Sequence, residues 1–194
     1  MNYLAHAMLA QANAYSLVGN LLGDFCKGLD IHQQHPQILA GLYNHRAVDR
    51  FTDQHPLVVQ ARQTFSPQRR RFAGIALDVL FDHLLIKHWP SFYSGQFLQH
   101  KPILYARFAA AEPLMPDSMR STIRQLRLQD WFSHYQQLTS LGQTLDRIAT
   151  RIRFKHQFNG IIQEIEPRYS ELDQLFQQFY PQLQQQVKQL ALEL

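Results

Sequence analysis

The sequence predicts an all-α fold, a single-domain helical bundle over residues 1–194, and three observations carry that prediction. Apolar residues recur at spacings of three and four through most of the chain, which is the period of a helix rather than of a strand. Only 8 Gly and 9 Pro leave too few turn residues for a β-sandwich or barrel. An apolar fraction of 45%, rich in Phe and Tyr, is enough to bury a sizeable core and excludes global disorder.

The elements follow in order. Residues 2–16 read as a first helix, with Leu4, Met8 and Leu9 facing inward, and a break is expected from Gly19 to Gly28. Pro36 suits the first turn of a second helix that runs to about Thr52. His55-Pro56 closes it and opens a third helix over 56–64. Ser66-Pro67 reads as an N-cap and first-turn proline, starting a helix that Trp89-Pro90 stops near His88. A looser stretch over 90–101 precedes helices near 102–111, 116–129, 131–138 and 140–150. The last segment, 168–194, spaces Leu172, Phe176, Phe179, Leu183, Val187 and Leu190 for a C-terminal helix packing on the rest, kinked at Pro181 and solvated along its Gln residues.

Composition narrows the chemistry. One Cys excludes a disulfide framework and any multi-thiolate zinc site. The N-terminal residues lack the basic region and apolar run of a signal peptide, and no apolar stretch spans a bilayer, so a soluble, reduced, cytoplasmic protein is expected. A net charge of +4 suits an acidic or phosphate-bearing partner and is too weak to imply nucleic acid. Phosphate-loop, dinucleotide, nucleophile-elbow and zincin motifs are all missing.

Three places concentrate polar chemistry. From Phe72 to Ile86 the chain is apolar all round, the mark of a central helix, apart from Asp78, Asp82 and His83. Asp78 and Asp82 stand at i, i+4, so two carboxylates share one face about 6 Å apart along the axis. Burial there demands a cationic partner, whether Arg, His or a metal ion. His45, Asp49 and Asp53 also recur every four residues, and an i, i+4 His/Asp pair can chelate a divalent ion. A surface ladder interleaved with Arg46 and Arg50 satisfies that spacing equally well. Asp24 follows Gly23 in the expected glycine-bounded loop, where backbone can approach a ligand. His6 reads as a satisfied core histidine. Mixed His/Asp ligands without thiolates favour Mn, Mg or Fe and suit the activation of water against phosphate esters.

These residues also carry a resemblance. Met1 to His6, Gly19 to Phe25, His45-Arg46-Ala47-Val48-Asp49, Phe51-Thr52-Asp53 and Leu77 to His83 together resemble bacterial acyl carrier protein phosphodiesterases. The resemblance covers nearly the whole chain and implies an all-helical, HD-domain-like phosphohydrolase. Such an enzyme removes the 4′-phosphopantetheine arm from holo-acyl carrier protein with a divalent metal, Mn²⁺ ahead of Mg²⁺ or Fe²⁺. It further implies Asp24, His45, Asp49 and Asp78 as metal ligands and Asp82, His83 and Arg46 as catalytic groups. The usual His-then-Asp order is reversed at Asp82-His83, which leaves open which of the two touches metal. Because carrier proteins are acidic, Arg69, Arg70, Arg120, Arg124, Arg127 and Arg151 are candidates for steering the partner. The alternatives are an HD-type hydrolase of nucleotides or other small phosphoesters, which would ignore carrier protein, and a non-enzymatic helical binding module, which would bind no metal. Whether Phe92, Tyr93, Phe97 and Tyr105 form a groove for the arm is open at this point, with ordinary core packing the favoured reading.

Overall fold

The computed structural model describes residues 1–193, and among them there are twelve α-helices and no strand. They are α1 (Tyr3–Leu9), α2 (Ala14–Leu22), α3 (Pro36–Gln54), α4 (Pro56–Gln63), α5 (Ala73–Lys87), α6 (Trp89–Phe92), α7 (Phe97–Ala111), α8 (Asp117–Leu128), α9 (Trp131–His134), α10 (Leu138–Ala149), α11 (Ile162–Ile165) and α12 (Tyr169–Leu190). The all-α prediction holds. Leu194, the last residue of the expected 168–194 segment, lies outside the described residues.

The expected central helix is α5. Its Ala76, Leu77, Leu80, Phe81, Leu84 and Leu85 are almost fully buried, and it packs against α1, α4, α10 and α12. A polar group on the buried face of such a helix needs a neighbour that comes to meet it, and for Asp82 that neighbour is α1. On α12, Phe176 and Phe179 stack against Phe81. The helix runs through Pro181 as one element.

Several boundaries differ from expectation. The first helix divides, because α1 ends at Leu9 and Asn13 caps a new helix by accepting from the Ser16 amide at 2.8 Å. Gly19 to Leu22, expected in a break, belong to α2. Gly19 there serves close packing: a Cβ on it would lie 2.2 Å from the Ile38 carbonyl oxygen and 2.7 Å from the Gly41 Cα of α3. Ser66 caps no helix; its amide and hydroxyl donate to Glu164 at 2.8 and 2.7 Å, and a 3₁₀ turn at Arg70–Phe72 precedes α5. The stretch 90–101 is largely helical, with Pro90 in the first turn of α6 and Pro102 inside α7.

Candidate active site

The close approach of α2 and α3 sets the position of His45. Its Nδ1 donates to the Asn20 carbonyl oxygen at 2.7 Å, which leaves Nε2 facing Asp49 Oδ2 at 3.0 Å one turn along α3. Asn20 is itself held, accepting from Asn44 at 2.8 Å and donating to Glu193 at 2.8 Å. A backbone carbonyl that fixes the tautomer and aims the second nitrogen is the usual support of a metal-binding histidine. Gly23 makes room for the ring, since a Cβ on it would lie 2.0 Å from His45 Nε2.

His6 arrives from α1 and stacks on His45, with ring centroids 3.9 Å apart. Its Nε2 lies 3.1 Å from Asp49 Oδ1, yet neither ring nitrogen is aligned for a hydrogen bond although the residue is buried. One donor atom from each of His6, His45 and Asp49 falls within 4.8 Å of the others. Buried, unpartnered imidazole nitrogen facing a carboxylate fits a divalent cation held by nitrogen and oxygen. The electrostatics agree: burial and the adjacent His45 push His6 down to about 3. Burial opposes the charge on Asp49, but the two imidazoles and the Met1 ammonium hold its carboxyl well below the carboxylate range. For His45, Asp49 and the Asn20 carbonyl outweigh burial and raise it.

The cation that the α5 carboxylates require is supplied mainly by the beginning of the chain. Asp78 lies 2.9 Å from the Met1 ammonium, which also reaches Asp49 at 3.1 Å. Burial works against that ammonium, but Asp78 and Asp49 raise it to about 10. Asp82 accepts the Leu4 and Ala5 amides, both at 2.9 Å. It thereby caps α1 from another helix, because Asn2 makes no side-chain cap. Complete burial raises Asp82 to about 7 against the pull of those two amides. His83 points elsewhere, its Nδ1 at 2.6 Å from the Tyr135 carbonyl and its Nε2 at 2.7 Å from the Tyr169 hydroxyl.

Asp24 lies in the 3₁₀ turn Gly23–Phe25. Recession into the surface raises its carboxyl, with His45 opposing and Asp49 adding to the rise. With Asp78 it lines a cavity of about 340 Å³ whose other walls include Tyr3, Ile75, Trp131 and Ile148, with Arg147 and Arg151. A shallower recess holds His45, Asp49, Arg46, Arg50 and Asp53. Asp53, the third member of the predicted stripe, turns to Arg62. Phe97 is buried, Tyr93 bonds Tyr180 at 2.7 Å, Tyr105 bonds Asp130 at 2.8 Å and Phe92 packs on Phe176; none of the four lines this cavity, although Phe92 and Tyr93 border a separate one beside α12.

The arginines separate into two groups. Arg69 donates to the Gln157 and Asn159 carbonyls at 2.7 and 2.6 Å, and Arg70 to that of Phe65 at 3.3 Å. Arg120 bonds Met115 O at 2.7 Å, while Arg124 and Arg127 both pair with Glu112. These five of the six nominated arginines therefore brace the fold. Arg46, Arg50, Arg147 and Arg151 are exposed and line the two recesses. His6 and the Met1 ammonium are the groups at the centre that sequence reasoning missed; their one signal was membership of the N-terminal motif.

The model of the acyl carrier protein phosphodiesterase family matches residues 1–183. Proteins of that name are 36% identical over 197 residues in Photorhabdus laumondii, covering 97% of this chain and 96% of the relative. The Serratia proteamaculans protein is 36% identical over 192 residues, 97% and 98% of the two chains. That of Escherichia coli O157:H7 is 34% identical over 195 residues, 99% and 100%. No solved structure matches.

Proposed function

The chain belongs to the acyl carrier protein phosphodiesterase family, and on that premise we propose that it cleaves the phosphodiester linking 4′-phosphopantetheine to the serine of holo-acyl carrier protein. The products are apo-carrier protein and 4′-phosphopantetheine. The observation that carries this reading is the convergence of His6, His45 and Asp49, with Asp24 and Asp78 alongside. These residues would hold a divalent cation, and the oxygen-rich, thiolate-free set favours Mn²⁺ over structural zinc, with Mg²⁺ or Fe²⁺ as substitutes. Such an ion, when bound, neutralises charge on the phosphoryl oxygens and lowers the pKa of water.

The protein groups then have distinct tasks. Asn20 fixes the His45 ring, and Gly23 leaves space for it. Arg46, exposed beside Asp49, sets its planar fork against the phosphoryl oxygens. Water oxygen attacks phosphorus as the bond to the serine oxygen breaks. The water proton passes to Asp24, whose raised carboxyl suits that exchange, and Asp24 returns a proton to the serine oxygen as it leaves. Asp82 acts by holding α1, and His83 by holding the Tyr135 backbone; both are positioning residues in this scheme. Arg46, Arg50, Arg147 and Arg151 steer the acidic carrier.

Intact-mass analysis of holo-carrier protein incubated with the chain, with Mn²⁺ or with EDTA, tests the proposal. Metal-dependent loss of one phosphopantetheine group is expected. A folded, Mn²⁺-supplied protein that leaves several carriers intact while cleaving nucleotides would replace the carrier with a small phosphoester.

A further inference from the structure

The cavity beside Asp24 and Asp78 carries features that attack on phosphorus does not require. At about 340 Å³ it has the size of a small-molecule site. Ile75 is the telling residue. It is 40% exposed on the helix that otherwise buries nearly all its large side chains, and it opens onto this cavity one turn before Asp78. A continuous wall thus leads from apolar surface to carboxylate. Across from α5, Trp131 is half-buried with its indole N–H held by Gln129 at 3.0 Å, and Ile148 joins Tyr3 to complete the apolar lining. The recess on the other side of Asp49 has no such wall: Arg46, Arg50 and Asp53 line it with no large apolar side chain, whereas the cavity sets Arg147 and Arg151 beside its aromatic and aliphatic residues. The Met1 nitrogen lies between one carboxylate of each, Asp49 of the recess at 3.1 Å and Asp78 of the cavity at 2.9 Å.

The substrate read for this site is equally two-sided. One branch of its phosphodiester is an acidic protein. The other is a flexible uncharged chain with a gem-dimethyl group, two amides and a thiol. We propose that the pantetheine arm lies in the Trp131–Ile148 cavity, leaving the carrier protein over the Arg46–Arg50 recess. This assignment rests on the phosphodiesterase reading. Apolar walls with a few polar groups suit such an arm, and they are a poor seat for an acidic protein surface.

Free pantetheine, which has no phosphodiester to cleave, separates the two ideas. It is titrated calorimetrically into wild type and into two variants that fill the cavity, Ile148→Trp and Thr144→Trp, each first checked for an unchanged melting transition. Saturable binding by wild type, weakened at least tenfold in either folded variant, is expected. The same variants should raise KM for holo-carrier protein tenfold or more and change kcat much less. Wild type that cleaves holo-carrier protein while a filling variant keeps the same KM and pantetheine affinity would overturn the cavity assignment and leave the enzyme reading intact. Wild type that binds no pantetheine also overturns it. Pantetheine binding without any cleavage of carrier protein would keep the cavity and remove the phosphodiesterase reading.

Discussion

Helices α3 and α5 carry the same signal, two polar residues at i, i+4, and use it in opposite ways. On α3, the second nitrogen of His45 and both oxygens of Asp49 face other side chains, with His6 stacked above them. On α5, both oxygens of Asp82 are consumed by amides of α1, and both nitrogens of the adjacent His83 by Tyr135 and Tyr169. Of the acids on that helix, Asp78 is the one that lines the cavity. Spacing alone therefore announces a shared face; what decides between chemistry and architecture is whether the polar atoms face one another or are each taken up by a group of a neighbouring element.

The sharpest way to break the comparison is to remove one carboxylate from each helix. Asp49→Ala should reduce holo-carrier cleavage by about a thousandfold or more and abolish Mn²⁺ binding, with little loss of urea stability. Asp82→Ala should cost about 2–5 kcal/mol in urea unfolding, because two buried amides lose their acceptor. If Asp82→Ala proves as stable as wild type yet inactive, Asp82 belongs with the chemistry and the contrast fails.

Acid sharpens the contrast further. His6 is pushed down to about 3 in the folded chain from an ordinary value of 6.5. Its contribution is thus complete above 6.5 and is lost as pH falls toward 3, because the unfolded chain takes up the proton first. Without divalent cation, lowering the pH from 7 to 5 should remove about 2 kcal/mol through this group. A His6→Gln variant, followed by urea midpoint at both pH values, should show that much less acid sensitivity. An equal fall in both proteins would assign the effect elsewhere.

The smallest effect concerns the arginines. Arg46→Ala should raise KM for carrier protein several-fold, more at low salt, whereas Arg124→Ala, whose partner is Glu112, should leave it within twofold. Equal responses would show that internal pairing does not decide which arginines meet the partner.

Much of this arrangement could be read before the structure. The central α5, the His45–Asp49 pair and Asp78 follow from helical period and from the scarcity of polar residues in apolar surroundings, while Asp24 joined them through the family resemblance. Three things could not. His6 sits among Leu4, Ala5 and Ala7, and its partners lie 39 and 43 positions away (45 − 6 and 49 − 6), so nothing local distinguishes it from a core histidine. Asp82 needed a cation by charge arithmetic, but backbone amides at a helix start answer the same need and leave no trace in side-chain spacing. The arginines near Glu112 and Gln157 became structural through long-range contacts that composition does not reveal.

The grip of Asp82 on the start of α1 joins residues 78 positions apart. His6 rides on that seven-residue helix, and a helix so short cannot sustain itself in water. During synthesis, α1 would therefore have to wait for α5 before the site could close. In the finished protein, fraying of α1 alone would separate His6 from His45 while most of the apolar interior stayed intact. Catalytic competence would then report on one local docking event, and a sample could lose it well below its melting temperature.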